Sequence, residues 1–198
     1  MNSVFFRALE IEDLPYIYKW MNDQEMLKDA IGMKRPMSMS ECREWLERRI
    51  KPNTYNFWFA ICLNDESKQI IGYTGVNNIH YINSSATCEG VVIGEKEYRD
   101  GISWIETYLF IFDFIFNKLH LNRFYGEHSE TQKTTSATEH LFFLTREGIG
   151  REAIYMQGKY INVVFKSLLR REYMEHLNNG DYELSSILKR LRLLKQKK

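Results

Sequence analysis

The residues with most chemistry to offer lie between Cys88 and Ser103. The run Cys88-Glu89-Gly90-Val91-Val92-Ile93-Gly94 is small and apolar apart from one carboxylate, Glu89. A charge in such a strand either reaches solvent at an alternating position or has a task. The strand feeds the turn Gly94-Glu95-Lys96-Glu97-Tyr98-Arg99-Asp100-Gly101-Ile102-Ser103-Trp104, which opens a helix. A helix start offers unpaired backbone N–H groups and the positive end of the helix dipole, so this turn suits a pyrophosphate. Gly101 permits close backbone approach, and Arg99 adds a fixed positive charge. Further on, Glu127 and His128 stand near the end of a second strand, the histidine with an ordinary pKa near neutrality.

The elements that must position these residues follow from periodicity. Residues 3–9 read as a strand, then Asp13 as the cap of a helix with Pro15 in its first turn and Leu14, Ile17, Tyr18 and Met21 on one face. Residues 22–37 read as a loop holding Asp23, Glu25 and Asp29. Ser38 and Glu41 form a capping box for a second helix. Strands are predicted at 57–63, 69–79 and 86–94, with Gly72 and Gly75 as weak points or bulges. Residues 102–119, apolar on nearly every side, predict a buried helix. A strand over 121–128 puts Phe124, Gly126 and His128 on one face and Tyr125 and Glu127 on the other. A helix over 133–144 follows, then strands at 152–156 and 159–165 joined by Gln157-Gly158. The tail from Asp181 carries Leu184, Ile187, Leu188, Leu191 and Leu194 on one stripe and Lys189, Arg190, Arg192, Lys195, Lys197 and Lys198 opposite. That pattern describes a helix docked on its own domain, or a basic amphipathic helix for a membrane or partner. The expected division is a domain over 1–180 and this helix over 181–198.

Bulk properties exclude several classes. The 198 residues are 44% hydrophobic and 14% aromatic, enough for a folded core. A net charge of +1, from 27 basic against 26 acidic residues, gives no footprint for nucleic acid or an anionic membrane. Cys42, Cys62 and Cys88 show neither a disulfide framework nor metal-ligand spacing, and the five histidines are scattered. The expectation is no metal site, three buried or half-buried thiols and a reducing, cytoplasmic setting. The N-terminus lacks a signal-peptide pattern, and the most apolar run, Tyr108–Phe116, falls short of the roughly 20 residues a membrane span needs.

Taken in order, several segments resemble the GNAT superfamily of acetyl-CoA-dependent N-acetyltransferases. They are Phe6 to Leu14, Ile71-Gly72, Ile93 to Ser103, Leu119 to Arg123 and Arg146 to Ala153. The resemblance spans residues 5 to about 173. It is nearest the subgroup of ribosomal-protein N-terminal, spermidine and amino-sugar acetyltransferases. It implies an α/β (α+β) fold with a mixed, mostly antiparallel central sheet of about seven strands flanked by helices, plus the C-terminal helical tail. The family's pyrophosphate motif, Gln/Arg-x-x-Gly-x-Gly/Ala, falls on Tyr98-Arg99-Asp100-Gly101-Ile102-Ser103, with tyrosine first and serine last. Alternatively, Arg99 is the motif's arginine and one loop residue is missing.

The resemblance further implies acetyl-CoA as co-substrate, its pantetheine arm pairing with the backbone of Val91, Val92 and Ile93. The amine must be neutral to attack, and Glu89 is the implied general base, with Glu127 and His128 as further candidates. The family's tyrosine proton donor has no counterpart in Ala137 to Phe143; Glu139 or His140 stands nearest, and Gln132 replaces the usual asparagine. The acceptor is a small-molecule amine such as an amino sugar or polyamine, or alternatively a protein N-terminus. Its pocket is expected from the 22–37 loop and the 80–86 turn, with Tyr81, Trp58 and Trp104 to stack. Neither nucleic acid nor membrane is an expected partner; a homodimer is. The rival reading is a GNAT-like binding or regulatory module with impaired cofactor use.

Overall fold

Val4–Ala8 (β1) pairs antiparallel with Phe57–Leu63 (β2), from Val4 opposite Leu63 to Ala8 opposite Phe59. The computed structural model describes residues 3–27, 35–156 and 158–196. Asp29, Gln157, Lys197 and Lys198 of the sequence reading lie outside them, as do the first two residues of the N-terminus. Between β1 and β2 come α1 (Leu14–Met21), α2 (Gln24–Leu27) and α3 (Met39–Ile50). The chain continues through β3 (Ile70–His80), β4 (Ser85–Ile93), α4 (Ile102–Asp113), β5 (Arg123–Ser129) and α5 (Lys133–Phe142). It ends with β6 (Thr145–Met156), β7 (Lys159–Leu169), α6 (Arg170–Asn178) and α7 (Leu184–Gln196). Seven strands and their flanking helices thus follow the expected α/β order, and the registers of β1–β2, β2–β3, β5–β7 and β6–β7 are antiparallel.

Two compact units make up the chain: Met1–His80 with Thr87–Ile111, and Tyr81–Ala86 with Phe112–Lys198. In the first, strands run in the order β1-β2-β3-β4. One core gathers Leu14, Ile17 and Trp20 of α1 with Cys42 and Leu46 of α3 over Ala60, Cys62 and Ile70. A second core holds Val4, Ile61, Ile71 and Ile93, with Trp104 of α4 packed against it. Glu106 of α4 is buried because its carboxylate accepts from the Ser3 and Val4 amides and the Ser3 hydroxyl at 2.7–3.1 Å. In the second unit the order is β5-β7-β6. Its core is aromatic, with Phe116 stacked on Tyr173 at 4.8 Å and Tyr173 on Tyr182 at 5.3 Å. On α7, Ile187 is fully buried, and Arg190 donates to the Leu141 carbonyl at 2.9 Å with its guanidinium over Phe143.

Local chemistry explains where elements agree with the sequence and where they do not. Ser38 Oγ accepts from the Glu41 amide at 3.2 Å, and the Glu41 carboxylate accepts from the Ser38 amide at 2.8 Å, the predicted box. Asp13 stands at the cap position of α1, but its buried carboxylate instead takes Arg7 at 2.7 and 2.8 Å and the Glu10 amide at 3.0 Å. A charged donor outcompetes a cap for a buried carboxylate. The predicted loop contains α2, which Asp23 starts by accepting from the Glu25 amide at 2.9 Å. The predicted 102–119 helix changes at Phe114 into a π-helical turn through Lys118. Strand β6 begins at Thr145, seven residues ahead of the predicted 152, because register shifts at Arg146/Gly148 and Gly150/Ile154 hide its alternation.

Gly72 and Gly75 are both places of close approach, and Gly72 also flanks a bulge of β3. A Cβ on Gly72 would lie 2.0 Å from the Val92 carbonyl oxygen, and one on Gly75 would lie 2.9 Å from the Trp58 ring. The ladder slips by one residue beside Gly72: Ile61 pairs with Gly72 and Cys62 with Ile70, so Ile71 is the extra residue on β3. Since a backbone carbonyl cannot swing away, Gly72→Ala is expected to cost about 2–3 kcal/mol of stability in denaturant unfolding. A loss below about 0.5 kcal/mol, the range of a neutral surface change, would show that β4 shifts freely at Val92.

Candidate active site

At Gly90 the backbone of β4 breaks from the extended conformation, and side chains of β3 and of β4 itself bond its polar groups. The Glu89 amide donates to Asn77 Oδ1 at 3.1 Å. The Gly90 carbonyl accepts from Thr74 Oγ1 at 3.0 Å, and the Gly90 amide donates to Cys88 Sγ at 3.3 Å. Gly90 has φ +106°, a conformation open to glycine, and a Cβ there would meet nothing within 4 Å. These bonds account for two polar side chains with almost no exposure, Thr74 at 0% and Asn77 at 1%. Beyond the break, Val91 and Ile93 belong to the core that Trp104 covers.

Before the break, Glu89 is half exposed, with its carboxylate 3.4 Å from Arg49 of α3. The Arg49 guanidinium lies 3.7 Å from the centre of the Trp45 ring and 4.4 Å from that of Trp58. Tyr73 stands edge-on to Trp45 at 5.5 Å, and burial pushes its phenol up to about 12. Trp58, predicted to stack on an acceptor, therefore packs on the chain's own cation. Arg49, Trp45, Tyr73, Thr74 and Asn77 were not singled out in the sequence. The one available signal is the Trp45-x-x-x-Arg49 spacing, which puts both on one face of a helix.

The Gly94–Ser103 turn is held from within. The Arg99 guanidinium folds back on the strand, donating to the Ile93 carbonyl at 3.0 Å and the Gly94 carbonyl at 2.8 Å, with Asp23 at 3.4 Å. Lys96 pairs with Glu25 at 3.2 Å, so both acidic loop residues answer cations of this turn. Asp100 caps α4, its Oδ1 accepting from the Ile102 amide at 2.8 Å. Tyr98 and Ile102 are half-buried and Ser103 is buried. Gly101 has φ +100°, and nothing lies within 4 Å of where its Cβ would stand, so a phosphate has room against this backbone. Open space therefore adjoins the backbone at Gly90, within β4, and at Gly101, before α4, room of the kind an acyl-CoA would need.

Glu127 and His128 lie in the second unit and point to opposite faces of β5, the carboxylate exposed and the imidazole 1% exposed. His128 Nδ1 has no hydrogen-bond partner, and its Nε2 is 4.0 Å from Glu139. Burial, with the nearby Lys166 cation, pushes His128 down to about 4. Lys166 is itself buried, donating to the Thr135 carbonyl at 2.7 Å and Thr138 Oγ1 at 2.6 Å, and burial pushes it down to about 8. Glu139 is engaged by Arg146 at 3.3 Å, while His140 is exposed. Among the described residues no group of three or more His, Cys, Asp or Glu is arranged to hold a metal ion. No described helix is long and apolar enough to cross a membrane.

Residues 3–137 match the acetyltransferase (GNAT) domain family. Among solved structures, the chain is similar to spermidine N-acetyltransferase from Vibrio cholerae in complex with CoA and spermine. The TM-score is 0.77 at 22% identity, over 87% of this chain and 98% of that one. A probable acetyltransferase gives 0.73 at 21% identity, over 87% and 96% of the two chains. The dodecameric Vibrio cholerae spermidine N-acetyltransferase in an intermediate state gives 0.72 at 21%, over 88% and 98%. No curated protein sequence matches significantly. The chain belongs to the GNAT family of acetyl-CoA-dependent N-acetyltransferases, the family that the order of its motifs resembles.

The buried imidazole sets a pH dependence. Above pH 6.5, His128 is neutral in both the folded and the unfolded chain. Between 6.5 and about 4 the unfolded chain binds a proton that the folded chain refuses, so stability falls as pH falls through that window. The effect is about 3 kcal/mol at one pKa unit per roughly 1.4 kcal/mol. Urea unfolding at pH 7 and pH 4.5 is expected to show His128→Gln losing markedly less stability than the parent over this interval. Equal losses would mean that the imidazole is solvated.

Proposed function

We propose that the chain transfers the acetyl group of acetyl-CoA to the primary amine of a small molecule, an amino sugar or polyamine, by direct attack with Glu89 as general base. The observation that carries this reading is the break in β4, which sets a half-exposed carboxylate immediately before the strand segment Val91–Ile93. The main chain of that segment and the backbone at Gly101–Ser103 would hold the cofactor, which supplies the activated acetyl group as a thioester. Tyr98, Ile102 and Ser103 shape the turn, and Arg99 keeps the strand end in place. A cytoplasmic location accords with free cysteines at 42, 62 and 88.

An alkyl amine is mostly protonated at pH 7 and cannot attack until it loses that proton. Glu89, open to solvent and fixed through its own amide, takes it directly or through one water. The nitrogen lone pair then attacks the acetyl carbon and the C–S bond breaks; the nitrogen's second proton passes to the departing thiolate, directly or through water, giving the amide and CoA thiol without a dedicated acid. A covalent acetyl-enzyme is disfavoured, because burial pushes the nearby Cys88 thiol up and its sulfur is already engaged by the Gly90 amide. Glu127 and His128 remain candidates for proton transfer only if acceptor chemistry reaches β5, where burial makes the imidazole a weak base.

One observation favours the rival reading of an impaired binding module. Asp100 occupies the Ile102 amide, a donor that an anion at the helix start would otherwise use. Rate measurements separate the two. With acetyl-CoA and a panel of amino sugars, polyamines and N-terminal peptides, Glu89→Gln is expected to lower kcat about 10²–10⁴-fold, the range for a lost general base. Acetyl-CoA affinity should stay within twofold. Full rate in Glu89→Gln across pH would remove Glu89 from the mechanism, and no turnover by the parent on any amine would favour the rival.

A further inference from the structure

Arg49 sits in a cage of the kind that proteins use for ammonium ligands. Trp45 and Trp58 offer it their faces and Tyr73 closes one side, an arrangement that attracts cations through the ring quadrupole. The chain fills this cage with its own guanidinium, yet leaves that group short of acceptors. Its hydrogen bonds reach the Trp45 carbonyl at 3.3 Å and Glu89 at 3.4 Å, and its Nε is buried without a partner. Asn77, which holds the Glu89 amide and is 1% exposed, likewise has a buried Nδ2 with no partner. Buried donors are ordinarily satisfied, so each of these two residues in contact with Glu89 holds a donor short of an acceptor.

We propose that Arg49 determines acceptor specificity, selecting a primary amine that carries a carboxylate or phosphate and disfavouring di- and polyamines. The proposal rests on the reading of Glu89 as the base. An arriving ammonium competes for the carboxylate that Arg49 holds. An anionic group on the same molecule gives the guanidinium a replacement, and its planar fork matches carboxylate and phosphate oxygens. A second ammonium on the acceptor finds the aromatic cage taken and a like charge facing it.

The test uses glucosamine 6-phosphate, muramic acid for the carboxylate arm, glucosamine and spermidine, each titrated calorimetrically into the CoA-loaded protein and assayed for acetylation. The parent is expected to bind at least one anionic amino sugar tenfold or more tightly than glucosamine, with spermidine weakest. Arg49→Gln should erase that preference in the binding constants and in the kcat/KM ratio of anionic to neutral sugars, whatever it does to kcat itself, and Arg49→Lys, which keeps the charge but not the planar fork, should retain part of it. Spermidine binding the parent as tightly as the anionic sugars overturns the proposal. So does an unchanged preference in Arg49→Gln, or an absence of binding by all four amines. Glu89→Gln is expected to keep the binding order and lose turnover; if it keeps both, the base assignment fails while charge selection stands.

Discussion

The site depends on the break in β4 at Gly90, whose polar groups are bonded by side chains of β3. Ordinary strand pairing would satisfy Glu89 and Gly90 through backbone groups and continue the pleat without interruption. Here Asn77 and Thr74 bond the Glu89 amide and the Gly90 carbonyl, and Gly90 adopts a positive φ that a Cβ would resist. Such a break costs conformational entropy and demands two buried polar side chains, whose oxygens are engaged by the β4 backbone. In return, Glu89 lies beside Arg49 of α3 and the rings of Trp45 and Trp58 that hold it, while Val91 and Ile93 pack with Trp104. The proposed base and the proposed cofactor-binding backbone are thereby adjacent in sequence yet separated by face.

Magnitudes help to decide what the ionic contacts are for. Arg49–Glu89 and Lys96–Glu25 are partly exposed pairs at 3.4 and 3.2 Å, and such pairs contribute about 0–1 kcal/mol. Stability does not explain their presence. Lys96–Glu25 and Arg99–Asp23 join the α1–α2 connection to the turn before α4, and Arg49 fixes the direction of the Glu89 carboxylate. The better-shielded contacts are structural: Lys19 and the Trp20 indole converge on Glu95, 8% exposed, at 2.8–3.0 Å. Trp20 also packs so near Gly94 that a Cβ there would lie 2.1 Å from its ring. The end of β4 is anchored on α1 before the turn begins.

The sequence disclosed whatever depends on period and local chemistry. The capping box at Ser38, the strands over 57–63 and 69–79, and the opposite facing of Glu127 and His128 are direct consequences of 3.6- and 2-residue repeats. It disclosed less where a tertiary partner overrides a local preference. Asp13 is drawn from its cap by Arg7, and the bonds from Arg99, read as a phosphate ligand, to the carbonyls at positions 93 and 94 were not foreseen. Bulges concealed the first half of β6. The aromatic cage was illegible for a different reason: Trp45, Trp58 and Tyr73 come from three elements, and no spacing within one of them announces a shared cation.

Calorimetric titration of the purified protein with acetyl-CoA, compared with CoA, tests the central claim that the broken strand and the turn at Gly101 form a working cofactor site. The account predicts saturable binding in the micromolar range. Absence of binding at millimolar acetyl-CoA would contradict it, and would mean that Asp100 and the inward-folded Arg99 have closed the turn to phosphate.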